Sequence, residues 1–249
     1  GNYSHAEGNY SHANGSSSHA EGASTTASGA FSHAEGRANT ASGQSSHAEG
    51  DYTNARSSCS HSEGHGTTSS GNNAHAEGDS TNATGESSHS EGRATRAIAR
   101  ASHAEGDSTV AGDNTATISD DVSPLDVYES SVPGASAHAE GIGSLAKKSA
   151  SHAEGFKTQA SEVATHAEGI HTIASGKGAH AEGENTKAEG DYSHAEGGGC
   201  WAYREYCHAE GCNDGDQPTI ASCLGAHAEG MGTISSGNGS HSEGKGSQA

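Results

Sequence analysis

The stretch HAEGASTTASGAFSHAEG, residues 19–36, holds two copies of a His-x-Glu-Gly motif, which begin at His19 and His33. The motif occurs sixteen times in the 249 residues, and most successive copies keep the spacing of this first pair. A short period kept this strictly is typical of one small structural unit that is stacked many times. We therefore predict an all-β fold, a parallel β-roll or β-solenoid with 14-residue coils.

Each coil is expected to contain two short strands. The residue before the motif His is small, usually Ser, and the residue after it is Ala or Ser. Half a repeat further on a weaker second pattern occurs, as in Thr25–Gly29, with a small residue such as Ala27 at its centre. Because side chains alternate across a strand, Ser, Ala and Thr should point into the coil, and His and Glu out of it. The motif Gly is expected to supply the turn geometry.

The composition agrees with a thin solenoid rather than a globule. With 37 Gly, two Phe, one Trp and one Met, the chain has too little apolar volume for an ordinary core. A disordered chain of this composition would not keep such regular spacing. The chain begins without Met and ends within a repeat, so we expect a segment of a longer polypeptide.

Several functional classes are disfavoured by the sequence. Twelve Lys and Arg against 32 Asp and Glu argue against nucleic-acid binding. We find no membrane-spanning stretch, no nucleophile elbow, no phosphate-binding loop and no zinc-type Cys pairs. Ser precedes His because of the repeat, so their proximity is architectural. We therefore predict no enzyme activity, no cofactor and no membrane partner for this segment.

The coil sequence resembles a known family. Ser32-His33-Ala34-Glu35-Gly36 is similar to the S-V-A-I-G repeat of the YadA-like heads of trimeric autotransporter adhesins, which form a left-handed parallel β-roll. The SHAEG and TASG repeats also resemble those of phage tail and tail-fibre proteins, including Gram-positive prophage proteins that end in a self-cleaving domain. The resemblance covers the chain outside two insertions and implies a homotrimeric fibre. The family's apolar residues at the trimer axis are His and Glu here, which indicates an ionic axis.

We predict that this axis is a ladder of paired His and Glu side chains. Next to a carboxylate, each imidazole is expected to hold its proton more tightly, although neighbouring imidazoliums oppose this. One alternative is an exposed ladder on a monomeric rod. Another is a set of isolated metal sites, since ions on every coil would repel one another. The predicted ladder comprises His19, Glu21, His33, Glu35, His47, Glu49, His61, Glu63, His75, Glu77, His89, Glu91, His103, Glu105, His138, Glu140, His152, Glu154, His166, Glu168, His180, Glu182, His194, Glu196, His208, Glu210, His227, Glu229, His241 and Glu243.

Two breaks in the repeat divide the chain. We predict β-roll repeats over 1–112, 135–211 and 224–249, with an inserted loop or degenerate coils at 113–134 and a short insertion at 212–223. The first insertion carries an apolar cluster that includes Leu125 and Tyr128. It is either a contact for a receptor or partner, or a packed bulge on the shaft.

Four of the five cysteines and a group of aromatic residues lie in or just before the second break. We predict one disulfide between Cys200 and Cys207 across the roll and another between Cys212 and Cys223, which closes the insertion. Cys59 is left as a free thiol or an interchain link. Such pairing favours an extracellular or virion-associated location. The remaining feature is an aromatic group that is either a binding surface for glycan or protein or packing at a coil edge: Trp201, Tyr203 and Tyr206.

Together these features predict the structural shaft of a trimeric fibre, a phage tail fibre or virion appendage for host attachment. Its partners would be two further copies of itself and a host or cell-surface receptor, for which a glycan is a candidate. The first alternative is the head or stalk of a cell-surface trimeric adhesin. The second is a metal- or ice-binding β-solenoid. Ice binding would need an outward Thr array, whereas the regular Thr positions, Thr67, Thr81, Thr95 and Thr109, are expected to point inward.

Overall fold

The computed structural model describes residues 1–112, 135–215 and 217–249, which form 31 β-strands and no helix. The chain divides into two compact units, Gly1–Leu125 and Asp126–Ala249. Each unit is a parallel β-solenoid with a 14-residue repeat, so the predicted fold class is confirmed. Among the described residues there is also no helix long and apolar enough to cross a membrane.

In the first unit, strands of five and two residues alternate. The five-residue strands begin at the motif His: β1 (His5–Asn9), β3 (His19–Ala23), β5 (His33–Arg37), β7 (His47–Asp51), β9 (His61–His65), β11 (His75–Asp79), β13 (His89–Arg93) and β15 (His103–Asp107). The two-residue strands are β2 (His12–Ala13), β4 (Thr26–Ala27), β6 (Thr40–Ala41), β8 (Asn54–Ala55), β10 (Thr68–Ser69), β12 (Asn82–Ala83), β14 (Arg96–Ala97) and β16 (Val110–Ala111).

The second unit repeats this alternation. Its five-residue strands are β17 (His138–Ile142), β19 (His152–Phe156), β21 (His166–Ile170), β23 (His180–Glu184), β25 (His194–Gly198), β27 (His208–Cys212), β29 (His227–Met231) and β31 (His241–Lys245). Its short strands are β18 (Leu145–Ala146), β20 (Gln159–Ala160), β22 (Ile173–Ala174), β24 (Lys187–Ala188), β26 (Cys200–Ala202), β28 (Thr219–Ala221) and β30 (Ile234–Ser235).

The coils stack in register within each unit. The long strands form one parallel sheet and the short strands form another, so that every coil contributes one strand to each. Equivalent residues pair directly, as His33 does with His47 and Glu35 with Glu49. A given position of the repeat therefore forms a column of similar side chains along the unit.

The interior contains only small side chains, as predicted. Ala after the motif His is fully buried in most coils, and Thr67, Thr81, Thr95 and Thr109 are also at 0% exposure. Buried Ser residues before the motif His donate hydrogen bonds to the carbonyls of the preceding turn; Ser32 Oγ, for example, lies 2.7 Å from the Gly29 oxygen. These four Thr residues therefore point inward, as predicted.

The turns differ from the prediction. Outside the second insertion, the described chain turns at every seventh residue in the left-handed region, and most of these corner residues are not glycine; examples are Ala38 with φ 55° and Ser45 with φ 55°. The motif Gly lies within the long strand instead. At Gly36, φ is +105° and an added Cβ would lie 2.2 Å from the Gly50 carbonyl oxygen. The motif Gly is therefore required by the close approach of successive coils, and our assignment of the turn to it was wrong.

The second insertion leaves the phase of the coils unchanged. After Cys212 the chain closes a short turn in which Asp214 N donates to Gln217 O at 2.8 Å, and it resumes at β28. His208 still pairs with His227 in register across this break. Asp216 and the first insertion, residues 113–134 with Leu125 and Tyr128, lie outside the described residues.

Candidate functional site: the His/Glu face

Every residue of the predicted ladder lies on a long strand, with the intervening Ala or Ser turned inward. We call the outer surface formed by these residues the His/Glu face, and the His and Glu of one motif a rung. The face is half-buried in a single chain: at one rung, the His75 side chain is 34% exposed and the Glu77 side chain 35%. The structure therefore assembles the predicted residues into one columnar surface in each unit.

The imidazole rings stack along each unit. The His33 and His47 centroids lie 4.8 Å apart with an angle of 2° between the rings, and His138 and His152 lie 4.8 Å apart at 1°. The first pair differs, since His5 meets His19 edge-on at 79°. Strand spacing in a sheet is about 4.8 Å, so in-register stacking produces this separation directly. The Glu residues pair in the same way, which places like charges next to one another.

Within a rung, the two side chains approach without a hydrogen bond. Nε2–Oε2 distances run from 3.4 Å at His47–Glu49 to 4.0 Å at His103–Glu105. Buried polar atoms in folded proteins normally have a partner. Nevertheless, within the part of the chain that the structure describes, a column of imidazole Nε2 atoms is shielded from solvent and has no hydrogen-bond partner: those of His19, His33, His47, His61, His75, His89, His152, His166, His180, His194, His208 and His227.

At five imidazoles of the column, in a single chain, the pKa shift runs opposite to the expected direction. The pKa is lowered at five imidazoles, first by burial and next by neighbouring imidazoles, while the carboxylates act against these effects: His33, His61, His166, His180 and His208. In a single chain, burial and the neighbouring imidazoles therefore lower these pKa values more than the Glu residues raise them. At neutral pH these rings are neutral, and they leave the Glu column uncompensated.

At least five groups of donors on the face, among the described residues, come together as His–Glu–His triads. In each triad, one donor atom from each residue lies within 4.8 Å of the other two. Each triad takes His and Glu from one rung and His from the next. They include His47–Glu49–His61, His61–Glu63–His75, His75–Glu77–His89, His89–Glu91–His103 and His208–Glu210–His227.

A second outward column follows the motif Gly, and we call it the edge column. In the first unit it carries ion pairs from Arg37 onwards: Arg37 Nε donates to Asp51 Oδ1 at 2.7 Å, and Arg93 pairs with Asp107. The hydrogen bond from each arginine lowers the pKa of its aspartate partner.

In the second unit the edge column begins with exposed apolar side chains, Ile142 at 52%, Phe156 at 39% and Ile170 at 47%. We did not identify the edge column from the sequence. Its signal is the residue directly after each motif Gly, compared from one repeat to the next.

The cysteines do not form the predicted pairs, since all five lie within the described ranges and are free thiols. Cys200 and Cys207 are buried as predicted, at 0% and 1% exposure. They follow successive corners, however, and therefore lie at opposite edges of one coil. Burial, and next the nearby Cys212 thiol, raises the pKa of Cys200 to about 12. Cys207 Sγ donates to the Cys223 carbonyl at 2.8 Å, so each buried cysteine neighbours a residue of the insertion.

The aromatic residues form two separate contacts. Trp201 packs edge-on against Tyr203 at 5.9 Å, and Lys187 Nζ lies 5.0 Å from the Trp201 ring centroid. Tyr206 instead stacks on Tyr192 at 5.6 Å, on a corner where both rings are more than half exposed. We missed Tyr192, although it stands one full repeat before Tyr206 and this spacing was the available signal.

The fold and this face define a class of protein, a parallel β-solenoid with a His/Glu column on one sheet of every described coil. Comparison with protein-family models gives no match for this chain, and comparison with curated proteins gives none either.

Proposed function

We propose that this chain is the structural shaft of a homotrimeric fibre, with the His/Glu face of each copy at the threefold axis. Its setting would be extracellular or virion-associated, in a phage tail fibre or related appendage for host attachment. The observation that carries this proposal is the column of shielded Nε2 atoms that have no hydrogen-bond partner within the described chain.

A second and third copy would supply what the face lacks. A neutral imidazole still has one N–H donor, and a carboxylate accepts several hydrogen bonds. Rungs from neighbouring chains can therefore pair through charge-assisted hydrogen bonds without protonation of His. Such pairs would hold the rungs of neighbouring chains level with one another more than they would add stability.

The sequence resemblance to trimeric adhesin heads and tail fibres supports the same arrangement, and the head or stalk of a cell-surface adhesin is the alternative setting. The exposed Tyr192–Tyr206 stack and the Trp201–Tyr203 pair are the described surfaces best suited to a glycan or protein receptor. Receptor contact is a separate part of the proposal and is not needed for assembly.

The test is the mass of the chain in solution by light scattering at pH 7.5. One chain has a mass of 24.7 kDa, and the expected result is three times that value. A variant with Glu140, Glu154 and Glu168 all changed to Arg places like charges at the axis and should have the mass of one chain. The control changes Glu162, Glu189 and Glu205, which are exposed and lie off the face, to Arg. It should keep the wild-type mass, and a wild-type mass of one chain would overturn the proposal.

A further inference from the structure

We propose that the His/Glu face binds divalent transition-metal ions of the zinc type, each held by a His–Glu–His triad from a single chain. All three donors belong to one copy, so the inference does not require the trimer. It can hold when the fibre proposal fails, but both use the same Nε2 atoms, so in a trimer an ion would replace the pairing between chains at each filled triad.

The donor chemistry suits such ions. Imidazole nitrogen with carboxylate oxygen is a ligand set typical of zinc and its neighbours in the transition series. Within the described chain, the Nε2 atoms of His47, His61 and His208 are shielded from water and have no hydrogen-bond partner. In a single chain, shielded nitrogens of this kind would coordinate an ion without first losing a protein contact.

The spacing within a rung matches two adjacent ligands of one ion. Nε2 and Oε2 lie 3.4 Å apart at His47–Glu49 and at His89–Glu91. Two ligands that each lie about 2.0–2.1 Å from a tetrahedral ion are about 3.3 Å apart. The third donor, a ring nitrogen of the next His, lies within 4.8 Å of the other two, and its ring must tilt towards the ion to bind. Water or a neighbouring chain can occupy the fourth position.

The negative charge of the chain also favours binding of a divalent cation at the triads. With His neutral the chain carries a formal charge of −20, and the in-register Glu column places carboxylates on successive coils. A divalent cation between two rungs offsets this repulsion where it is most concentrated.

The triads limit how many ions can bind. A given Nε2 binds one ion, so His47–Glu49–His61 and His75–Glu77–His89 can be filled together, but His61–Glu63–His75 cannot be filled beside them. The first unit then holds two ions on alternate pairs of coils, and the separate triad His208–Glu210–His227 in the second unit holds one. From these triads we expect at least three ions per chain.

The experiment is a calorimetric titration of ZnCl₂ into the full chain, without an affinity tag and freed of metal beforehand, in a non-coordinating buffer at pH 7.5. The wild-type chain is expected to bind three or more zinc ions per chain. Glu210→Gln should remove one equivalent or weaken that site at least tenfold. Glu205→Gln makes the same charge change on a nearby exposed corner, and it should bind like the wild type.

Two further measurements make the result decisive. Circular dichroism establishes that both variants keep their β-structure. X-ray absorption at the zinc edge, at one equivalent, should show two imidazole ligands per ion. The proposal is overturned if the wild-type chain binds less than one equivalent, if both variants bind identically, or if the bound zinc has no imidazole ligand. The solution mass of the same sample separates this outcome from failure of the fibre proposal.

Discussion

The edge columns of the two units differ, although the coils beneath them are alike. In the first unit, Arg93 and Asp107 pair across neighbouring coils, whereas in the second Phe156 and Ile170 occupy equivalent neighbouring positions. The Ala next to the motif His is fully buried in both units. Coils with the same interior therefore carry different outward side chains. This indicates that the inward residues and the motif Gly determine the coil, while the outward columns can differ in chemistry.

The largest expected effect tests whether the coils of the two units are packed in the same way at the motif Gly. Gly64→Ala combines an unfavourable φ of +99° with a Cβ only 2.2 Å from the Gly78 oxygen. We expect it to lower the free energy of unfolding by roughly 3 kcal/mol or more, as measured by denaturant titration. The corner variant Gly66→Ala has no atom nearer than 3.7 Å and should cost only about 1 kcal/mol.

The same pair of substitutions in the second unit, Gly141→Ala and Gly143→Ala, should give the same order. If Gly141→Ala were tolerated while Gly64→Ala was not, the coils of the two units would be packed differently. The units would then differ in their interiors as well as in their edge columns.

The next largest effect is a loss of stability at acidic pH, which should occur in both units. Burial and neighbouring imidazoles lower the pKa of His33 and His166 below the usual 6.5. On acidification the unfolded chain then takes up protons first, so stability should fall as the pH drops through 6.5 towards the lower pKa of the folded state. Thermal melting in chelator-treated buffer at pH 7.5 and 5.5 measures this loss.

Replacing either imidazole with a neutral side chain should reduce that loss. His33→Gln and His166→Gln are the variants, and the neutral exposed change Asn72→Gln is the control. Stability that rises on acidification would contradict the single-chain arrangement. It would instead indicate imidazolium–carboxylate pairs between chains.

A smaller effect distinguishes Ala→Gly substitutions at exposed corners from the same substitution at buried positions. Ala101 and Ala164 are exposed corner residues with φ of 53° and 57°. Changing either to Gly should stabilise the protein by roughly 0.5–1 kcal/mol, because the left-handed strain is relieved by more than the added freedom of the unfolded chain. The controls Ala104→Gly and Ala167→Gly each remove a buried methyl and should cost about 1–2 kcal/mol. Denaturant titration of all four variants measures these changes, and destabilisation by both corner variants would mean that the corners are not strained.

Much of the fold could be predicted because it depends on a local pattern. The period of the motif His established the coil, and the small residues beside it established the inward face. The role of the motif Gly could not be predicted, since its contact is with the next coil rather than with its own turn. The disulfide prediction between Cys200 and Cys207 failed for a related reason: residues half a repeat apart face inward on both strands but follow corners at opposite edges. The protonation of the face could not be predicted either, because it depends on the balance between burial, stacked rings and carboxylates.

The smallest effect tests the edge columns themselves. Asp107→Asn should destabilise the first unit slightly at pH 7 in low salt, since exposed ion pairs contribute little and are screened. The hydrogen bond from Arg93 lowers the pKa of Asp107 from 3.8, so this contribution is present above the unfolded pKa and is lost as the pH falls through the lower folded value. Wild type and Asp107→Asn should therefore converge in strong acid or in 1 M salt.

The matched change in the second unit is Ile170→Ala, whose side chain lies in an apolar part of the edge column. Its effect should be independent of both pH and salt, because no charge is removed and only exposed apolar contact is lost. If Asp107→Asn kept its full effect in 1 M salt, the charged column would contribute through packing of side-chain stems rather than through charge. The two edge columns would then differ in composition but not in the physical interaction that they supply to the coil.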